Sequence, residues 1–219
     1  MKPRPIRSYV LRQGRTTPAQ ARALETLFPK YGIAFSGRKI SSARELVLEI
    51  GSGMGETTIG IAKAHPEVDF VAVEVHGPGV GSLLNAIERE QLTNLRVIRH
   101  DALDVLEHMI EDASLAAIHL FFPDPWPKKR HHKRRMVQPP FAALAARKLR
   151  AQGILHAATD WPEYAEHMQE VFSREALLEP AAAGFTARPV TKFELRGRRL
   201  GHAVRDLVFR RRGKAPAAR

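Results

Sequence analysis

The chain reads as an α/β domain, a parallel sheet wound with helices on both faces, and three observations lead there. Short apolar runs alternate regularly with helical segments between residues 46 and 173. Such alternation implies parallel strands joined by helical crossovers and covered on both sides. A glycine-rich turn, Gly51-Ser-Gly53-Met-Gly55, follows the first run and opens the first of these helices. Acidic residues then recur where successive runs end, at Glu49, Glu74, Asp101 and Asp124. Right-handed crossovers place all strand C-termini on one edge, so the four carboxylates are expected along a single rim.

The elements follow in order. Residues 1–16 are a basic arm containing Pro and Gly, expected to be mobile without a partner. Thr17-Pro18 reads as an N-cap and a first helical residue, opening a short amphipathic helix over 19–28. The spacing then predicts strand 46–50 and helix 55–64, strand 70–75 and helix 79–91, strand 95–100 and helix 102–110. Strand 115–122, helix 140–149, strand 153–159 and helix 161–173 continue the pattern. Residues 185–194 read as irregular or a short strand, and 203–210 alternates as an edge strand. Residues 17–212 therefore form one domain without internal repeat or linker, and 213–219 read as a frayed tail.

Composition narrows the function. A chain of 219 residues buries a sizeable core without disulfides or metal staples. Cysteine is absent, which excludes disulfides, thiolate nucleophiles and cysteine-based zinc sites and agrees with a cytoplasmic setting. The apolar runs fall short of the roughly 20 residues that cross a bilayer, and the basic N-terminus lacks the apolar stretch of a signal peptide. Net charge is 35 − 23 = +12. That field attracts polyanions without choosing among RNA, DNA and anionic lipid. His119, His131 and His132 have no third ligand nearby in sequence, so no metal site is expected.

The stretch 118–135 carries the most chemistry: Ile-His-Leu-Phe-Phe-Pro-Asp-Pro-Trp-Pro, then Lys-Lys-Arg-His-His-Lys-Arg-Arg. Pro123, Pro125 and Pro127 exclude continued helix or central strand, leaving Asp124 and Trp126 on a stiff loop at a strand end. A carboxylate and an indole beside a dense basic run suit a site that handles a base on a polyanion. The basic run by itself equally describes a solvated segment. The glycines are spaced G-x-G-x-G, unlike the dinucleotide fingerprint G-x-G-x-x-G, and Glu49 before them suits a cationic ligand better than a pyrophosphate. Read as packing, the same glycines make a close strand-to-helix turn. Glu74 is placed to accept from two ribose hydroxyls, and Asp101 either accepts from an adenine amine or caps the next helix. Asp160, before Trp161-Pro162, either meets a ligand or caps its helix. Trp126 either stacks on a base or packs beneath its loop. Lys192, Arg196, Arg198 and Arg199 are expected to grip phosphates.

Leu-Glu-Ile-Gly-Ser-Gly-Met-Gly, Val-Glu-Val-His, Arg-His-Asp-Ala, Phe-Phe-Pro-Asp-Pro-Trp, Lys-Arg-His-His-Lys-Arg-Arg, Ala-Thr-Asp-Trp and Thr-Lys-Phe-Glu-x-Arg-Gly occur in this order. With them the chain closely resembles the bacterial tRNA (guanine-N7-)-methyltransferases over roughly residues 44–210. The Pro-Asp-Pro-Trp and Thr-Lys-Phe-Glu segments are specific to that family, whereas 1–43, 176–187 and the tail match poorly. The resemblance implies a Rossmann-like class I methyltransferase: a mostly parallel seven-stranded sheet with helices on both faces and an antiparallel C-terminal edge strand. It implies methyl transfer from S-adenosylmethionine to N7 of the guanine at tRNA position 46, in the variable loop. Cofactor contacts fall on Glu49, Gly51, Gly53, Gly55, Glu74, Asp101 and Asp124, with Asp124 also catalytic. Substrate contacts fall on Lys128, Asp160, Thr191, Lys192, Phe193 and Glu194, and RNA contacts on Arg130, His131, His132, Lys133, Arg134 and Arg135. The partner is tRNA, with no membrane or metal and a monomer or homodimer as the assembly. Three other readings are weaker. An adenine-N6 methyltransferase usually shows Asp/Asn-Pro-Pro-aromatic, a non-catalytic RNA-binding protein has no need of all four acids, and a nicotinamide oxidoreductase lacks its fingerprint here.

Overall fold

The computed structural model describes residues 7–9, 14–190, 194–195, 201 and 203–213. Its strands are β1 Leu46–Ile50, β2 Asp69–Val73, β3 Leu95–Ile98, β4 Leu115–Phe121, β5 Leu149–Thr159, β6 Leu178–Pro180 and β7 Arg205–Arg211. Its helices are α1 Pro18–Thr26, α2 Phe28–Tyr31, α3 Glu56–Ala64, α4 Gly77–Arg89, α5 Ala102–Met109, α6 Pro139–Lys148 and α7 Pro162–Arg174, with a 3-10 helix over Lys129–Arg134. The strands form one seven-stranded sheet in the order β3-β2-β1-β4-β5-β7-β6. β1 to β5 pair in parallel, and β7 runs antiparallel between β5 and β6. Strand order reverses between β1 and β4, which creates a crevice beyond their C-terminal ends.

Both faces of the sheet are buried, and the strand sequences show it. In β1, Leu46, Leu48 and Ile50 enter one core with α5, α6 and α7, while Val47 enters the other with α3 and α4. β2 divides likewise, Val71 and Val73 against Phe70 and Ala72. A strand covered on both sides has no polar face to alternate with, hence the continuous apolar runs. Thr17 caps α1 through a reciprocal capping box with Gln20. α1 then crosses α4 so closely that a Cβ on Gly81 would lie 2.6 Å from the Gln20 carbonyl oxygen.

Some elements depart from the sequence expectation. The segment expected to end a helix at Leu149 starts β5 there, and the β4–β5 register shifts between Leu115 and Ala117, with Gln152 at φ 65°. The four-residue α2 was not foreseen; it spans little more than one helical turn, too short to show a periodic pattern, and has Pro29 in its first turn. The C-terminal strand is antiparallel as expected, but the outermost place belongs to β6, three residues ending in Pro180. A short, proline-terminated strand limits further pairing at that edge. At the opposite edge the Ile33 amide donates to the Val97 carbonyl at 2.8 Å and covers β3. The described part of 185–194 contains no strand, and Glu194 and Leu195 are helical. No described helix is long and apolar enough to cross a membrane.

Asn94 fastens the base of the sheet. Its buried amide nitrogen donates to the carbonyls of Ala62, His65 and Val68 at 3.0, 3.0 and 2.9 Å, tying the end of α3 to the approach to β2. Replacing Asn94 with Ala leaves these buried acceptors short of donors, at a cost of about 1–3 kcal/mol. The expected result is a lower denaturant midpoint with an unchanged m-value. An unaltered midpoint would show that water replaces the side chain.

Candidate active site

The crevice is built from the ends of β1, β2, β3 and β4. Gly51, Gly53 and Gly55 have φ of 75°, 56° and 88°, the left-handed region open to glycine at little cost. These conformations reverse the chain after β1 and bring the Gly53 amide 2.7 Å from Glu74 Oε2. Glu74 Oε1 accepts from the amides of Val75 and His76, both at 2.8 Å. α4 can approach this turn only because residue 79 is glycine, since a Cβ there would lie 2.5 Å from the Gly53 carbonyl oxygen. An ionised carboxylate has roughly four acceptor positions. Three amides leave Glu74 room for one further donor, which narrows the expectation that it accepts from two ribose hydroxyls.

The other three acids differ in setting. Glu49 is 4% exposed at the end of β1, and burial raises its carboxyl from the ordinary value to about 7. Thr58 opposes that shift, although its hydroxyl makes no hydrogen bond of full geometry, and the Glu74 charge adds to it. Asp101 caps α5, accepting from the Leu103 amide at 2.9 Å, and it also hydrogen-bonds the Tyr9 hydroxyl. Asp124 is exposed on the loop after β4. A cavity of about 210 Å³ opens between these elements, with Glu74, His100, Ala102 and Asp124 on its wall and Ile50, Val73 and Leu120 among its apolar lining. Glu49, two residues before Gly51, is buried and does not line that cavity.

Ser8 and Tyr9 complete the lining. The sequence reading placed both in a mobile arm, and nothing in their spacing signalled a site. Here Trp126 Nε1 donates to the Ser8 carbonyl at 3.0 Å, and Tyr9 reaches Asp101 across the cavity mouth. Desolvation, then the Asp101 charge, raises the Tyr9 hydroxyl above its usual value.

The loop after β4 is held under backbone strain. Phe122 and Trp126 have φ of 51° and 46°, unfavourable for bulky side chains. The Phe122 amide donates to the Ala158 carbonyl at 2.7 Å, and Arg135 Nε donates to the Pro125 carbonyl at 2.9 Å. The Trp126 ring packs edge-on to His131 and lies under the Arg134 guanidinium, 5.1 Å from its centroid. In this conformation the Trp126 ring packs against its own loop.

The basic run is a 3-10 helix, and it divides by accessibility. Lys128, Arg130 and Lys133 face solvent; His131, His132 and Arg134 are half-buried. Arg135 differs from the rest of the run in being buried. It is 4% exposed, pairs with Glu163 at 3.3 Å and covers the Tyr164 ring at 4.9 Å, bracing the loop from within. Asp160 lies between β5 and α7 but does not occupy the cap position, which Trp161 holds. Glu194 is 2% exposed and ion-paired to Arg188. Thr191, Lys192, Phe193, Arg196, Arg198 and Arg199 lie outside the described residues. Among the described residues, no group of three or more His, Asp or Glu gathers as a metal site.

Comparison with known proteins agrees with this architecture. A protein-family profile described as "Putative methyltransferase" matches residues 43–207. The chain is 54% identical over 219 residues to the tRNA (guanine-N(7)-)-methyltransferase of Nitrosospira multiformis, covering 95% of this chain and 96% of that protein. The protein of the same name from Neisseria meningitidis is 53% identical over 221 residues, covering 96% and 93%. Among solved structures, a 16S rRNA adenine-N1 methyltransferase from Catenulisporales acidiphilia, crystallised with its cosubstrate SAM, has a TM-score of 0.54 at 14% identity. That likeness spans 95% of this chain and 98% of the other and concerns the fold. With the profile spanning most of the sequence and relatives more than half identical along nearly all of it, the chain belongs to the tRNA (guanine-N7-)-methyltransferase family.

Proposed function

We propose that this chain transfers a methyl group from S-adenosylmethionine to N7 of a guanine in tRNA, at position 46 of the variable loop. The observation that carries the reading is one cavity bounded by Glu74 and Asp124, backed by the glycine turn and buried Glu49, and bordered by an exposed basic 3-10 helix. The donor set fits the cofactor. Buried Glu49 suits a cationic group, the free position on Glu74 suits a hydroxyl, and the buried Ser52 hydroxyl has no hydrogen-bond partner. Ser8 and Tyr9 would close the cavity mouth. When bound, the cofactor supplies an electrophilic methyl on a sulfonium.

Guanine N7 carries an in-plane lone pair and no proton, so the bond-forming step needs no general base. What remains for the protein is alignment and charge. Orientation in a closed site contributes up to about 7–11 kcal/mol. Asp124, exposed at the cavity lip, orients the guanine or the cofactor's ammonium and offsets the positive charge that develops on the imidazole ring. Lys128, Arg130 and Lys133 attract the phosphates. Partial desolvation and the neighbouring cations, Arg130 first, lower the His131 pKa.

Asp124→Ala should lower turnover of labelled S-adenosylmethionine on unmodified tRNA by about 10²–10³-fold, with the melting temperature unchanged. Nucleoside analysis of the wild-type product should give N7-methylguanosine at position 46, and a different methylated base would end the reading.

Glu49 predicts a pH dependence. Its folded-state pKa of about 7 lies above the ordinary 4.5, so the ligand-free protein binds an extra proton between these values. Stability of the ligand-free protein should therefore fall as pH rises through that window. Cofactor affinity should rise toward pH 7 and level off above it, because only the ionised carboxylate attracts a cation. Glu49→Gln should flatten both profiles in calorimetry and melting experiments. Parallel slopes in wild type and variant would remove Glu49 from the cofactor site.

The exposed helix gives a salt test. The Arg130→Ala, Lys133→Ala double variant should reduce the slope of log affinity against log salt by about 1.4–1.8 if each contacts one phosphate. An unchanged slope would place tRNA elsewhere.

A further inference from the structure

The guanidinium of Arg188 stands among three segments that the reaction uses. Its side chain is 5% exposed, although residue 188 lies in a stretch without regular structure. Nε and Nη2 donate to the two oxygens of Asp206 on β7, each at 3.0 Å, while Nη1 donates to Glu194, whose side chain is fully buried. One flat face of the group lies over Phe122 at 5.3 Å and Phe121 at 5.9 Å, the residues that lead from β4 to Asp124. Asp206 in turn meets His156 Nε2 on β5 at 2.7 Å. Burial alone would raise the Asp206 carboxyl, but hydrogen bonds with His156 and Arg188 hold it well below the ordinary carboxylate range.

We propose that Arg188 is a positioning residue for methyl transfer, fixing the Glu194 segment and the strained end of β4 in one arrangement against β7. The inference rests on the methyltransferase reading above and adds an account of how two parts of the site keep their separation. Two carboxylates on one guanidinium fix its plane, because the N–H donors are held in a rigid fork. That plane fits over Phe121 and Phe122 only when β7 and Glu194 are both in place. Phe122 is at φ 51°, so the chain before Asp124 does not hold this conformation by local preference. Glu194 consequently acts through Arg188. The resemblance places it among the substrate contacts, and its carboxylate is ion-paired to Arg188.

Two sets of variants test this. Arg188→Ala should lower kcat on tRNA by about 10–10²-fold, the range a displacement near 1 Å produces. The affinity for S-adenosylhomocysteine, measured by calorimetry, should fall by a smaller factor than kcat, since Arg188 meets the cavity lining through Phe121 and Phe122 and not through Glu74. Arg188→Lys should fail to restore kcat despite keeping the charge, because an ammonium lacks the fork. If Arg188→Ala does not fold, Arg188→Lys and Asp206→Asn carry the same test, and Asp206→Asn should lower kcat in the same selective way. The Arg188→Ala, Glu194→Ala double variant should be no slower than Arg188→Ala alone, as expected for partners in one interaction.

The proposal is overturned by unchanged kcat in the variants. It is overturned equally by a loss of kcat matched by a loss of cofactor affinity and melting temperature, which marks a purely structural role. Full activity of Arg188→Lys also overturns it. Failure of the wild-type protein to methylate guanine in tRNA, by contrast, is a failure of the function reading and is seen before any variant is made.

Discussion

The Glu74 carboxylate and the three amides that converge on it set the shape of the rim. Through the Gly53 amide this carboxylate links the turn after β1 to the end of β2, while Val75 and His76 hold it from its own chain. A charged acceptor with several amide donors makes strong hydrogen bonds, roughly twice as strong as neutral ones. The turn can deliver its amide only with left-handed φ at Gly51, Gly53 and Gly55, and α4 can sit above it only with glycine at 79. The cavity between β1 and β4 inherits its floor and one wall from that set of bonds.

The opposite wall works differently. Where the glycine turn is relaxed, the loop carrying Asp124 is strained at Phe122 and Trp126 and is kept in place by its surroundings. Arg135 holds Pro125 from inside, Ser8 receives the indole N–H, and Arg188 covers the two phenylalanines. A site with one rigid wall and one braced wall fits a reaction that orients two partners. In the proposed reading the fixed wall would serve the cofactor, and the braced wall, which carries the basic helix, would face the nucleic acid. Cations divide in the same way: Lys128, Arg130 and Lys133 face solvent, while Arg135, Lys148 and Arg188 are buried and spend their charge on carbonyls and carboxylates.

The legible part of the protein was what depends on residues close in sequence. The short run Leu46–Ile50, apolar at every position but Glu49 and followed at once by the glycine turn, placed β1 to its end residues, because a strand buried on both faces shows no polar alternation. The N-cap at Thr17 and the proline after it marked α1 for the same local reason. Strand-end acids followed from the handedness of crossovers, and their gathering on one rim needed no knowledge of contacts. The motifs carried the family, and therefore the activity.

Tertiary structure decided everything that depends on a partner far along the chain. Whether a basic residue faces solvent or braces a loop is invisible in a run such as 128–135, since Arg134 and Arg135 differ only in what stands opposite them, and Glu163 and Tyr164 are nearly thirty positions away. Ser8 and Tyr9 became part of the cavity through Trp126 and Asp101, more than ninety residues distant. Arg188 gained its role from Asp206, Glu194 and the end of β4 together. Local sequence sets backbone preference and the burial pattern of an element; side-chain partnership is a property of the packed chain, because long-range contacts are chosen by which surfaces the sheet and its crossovers bring together.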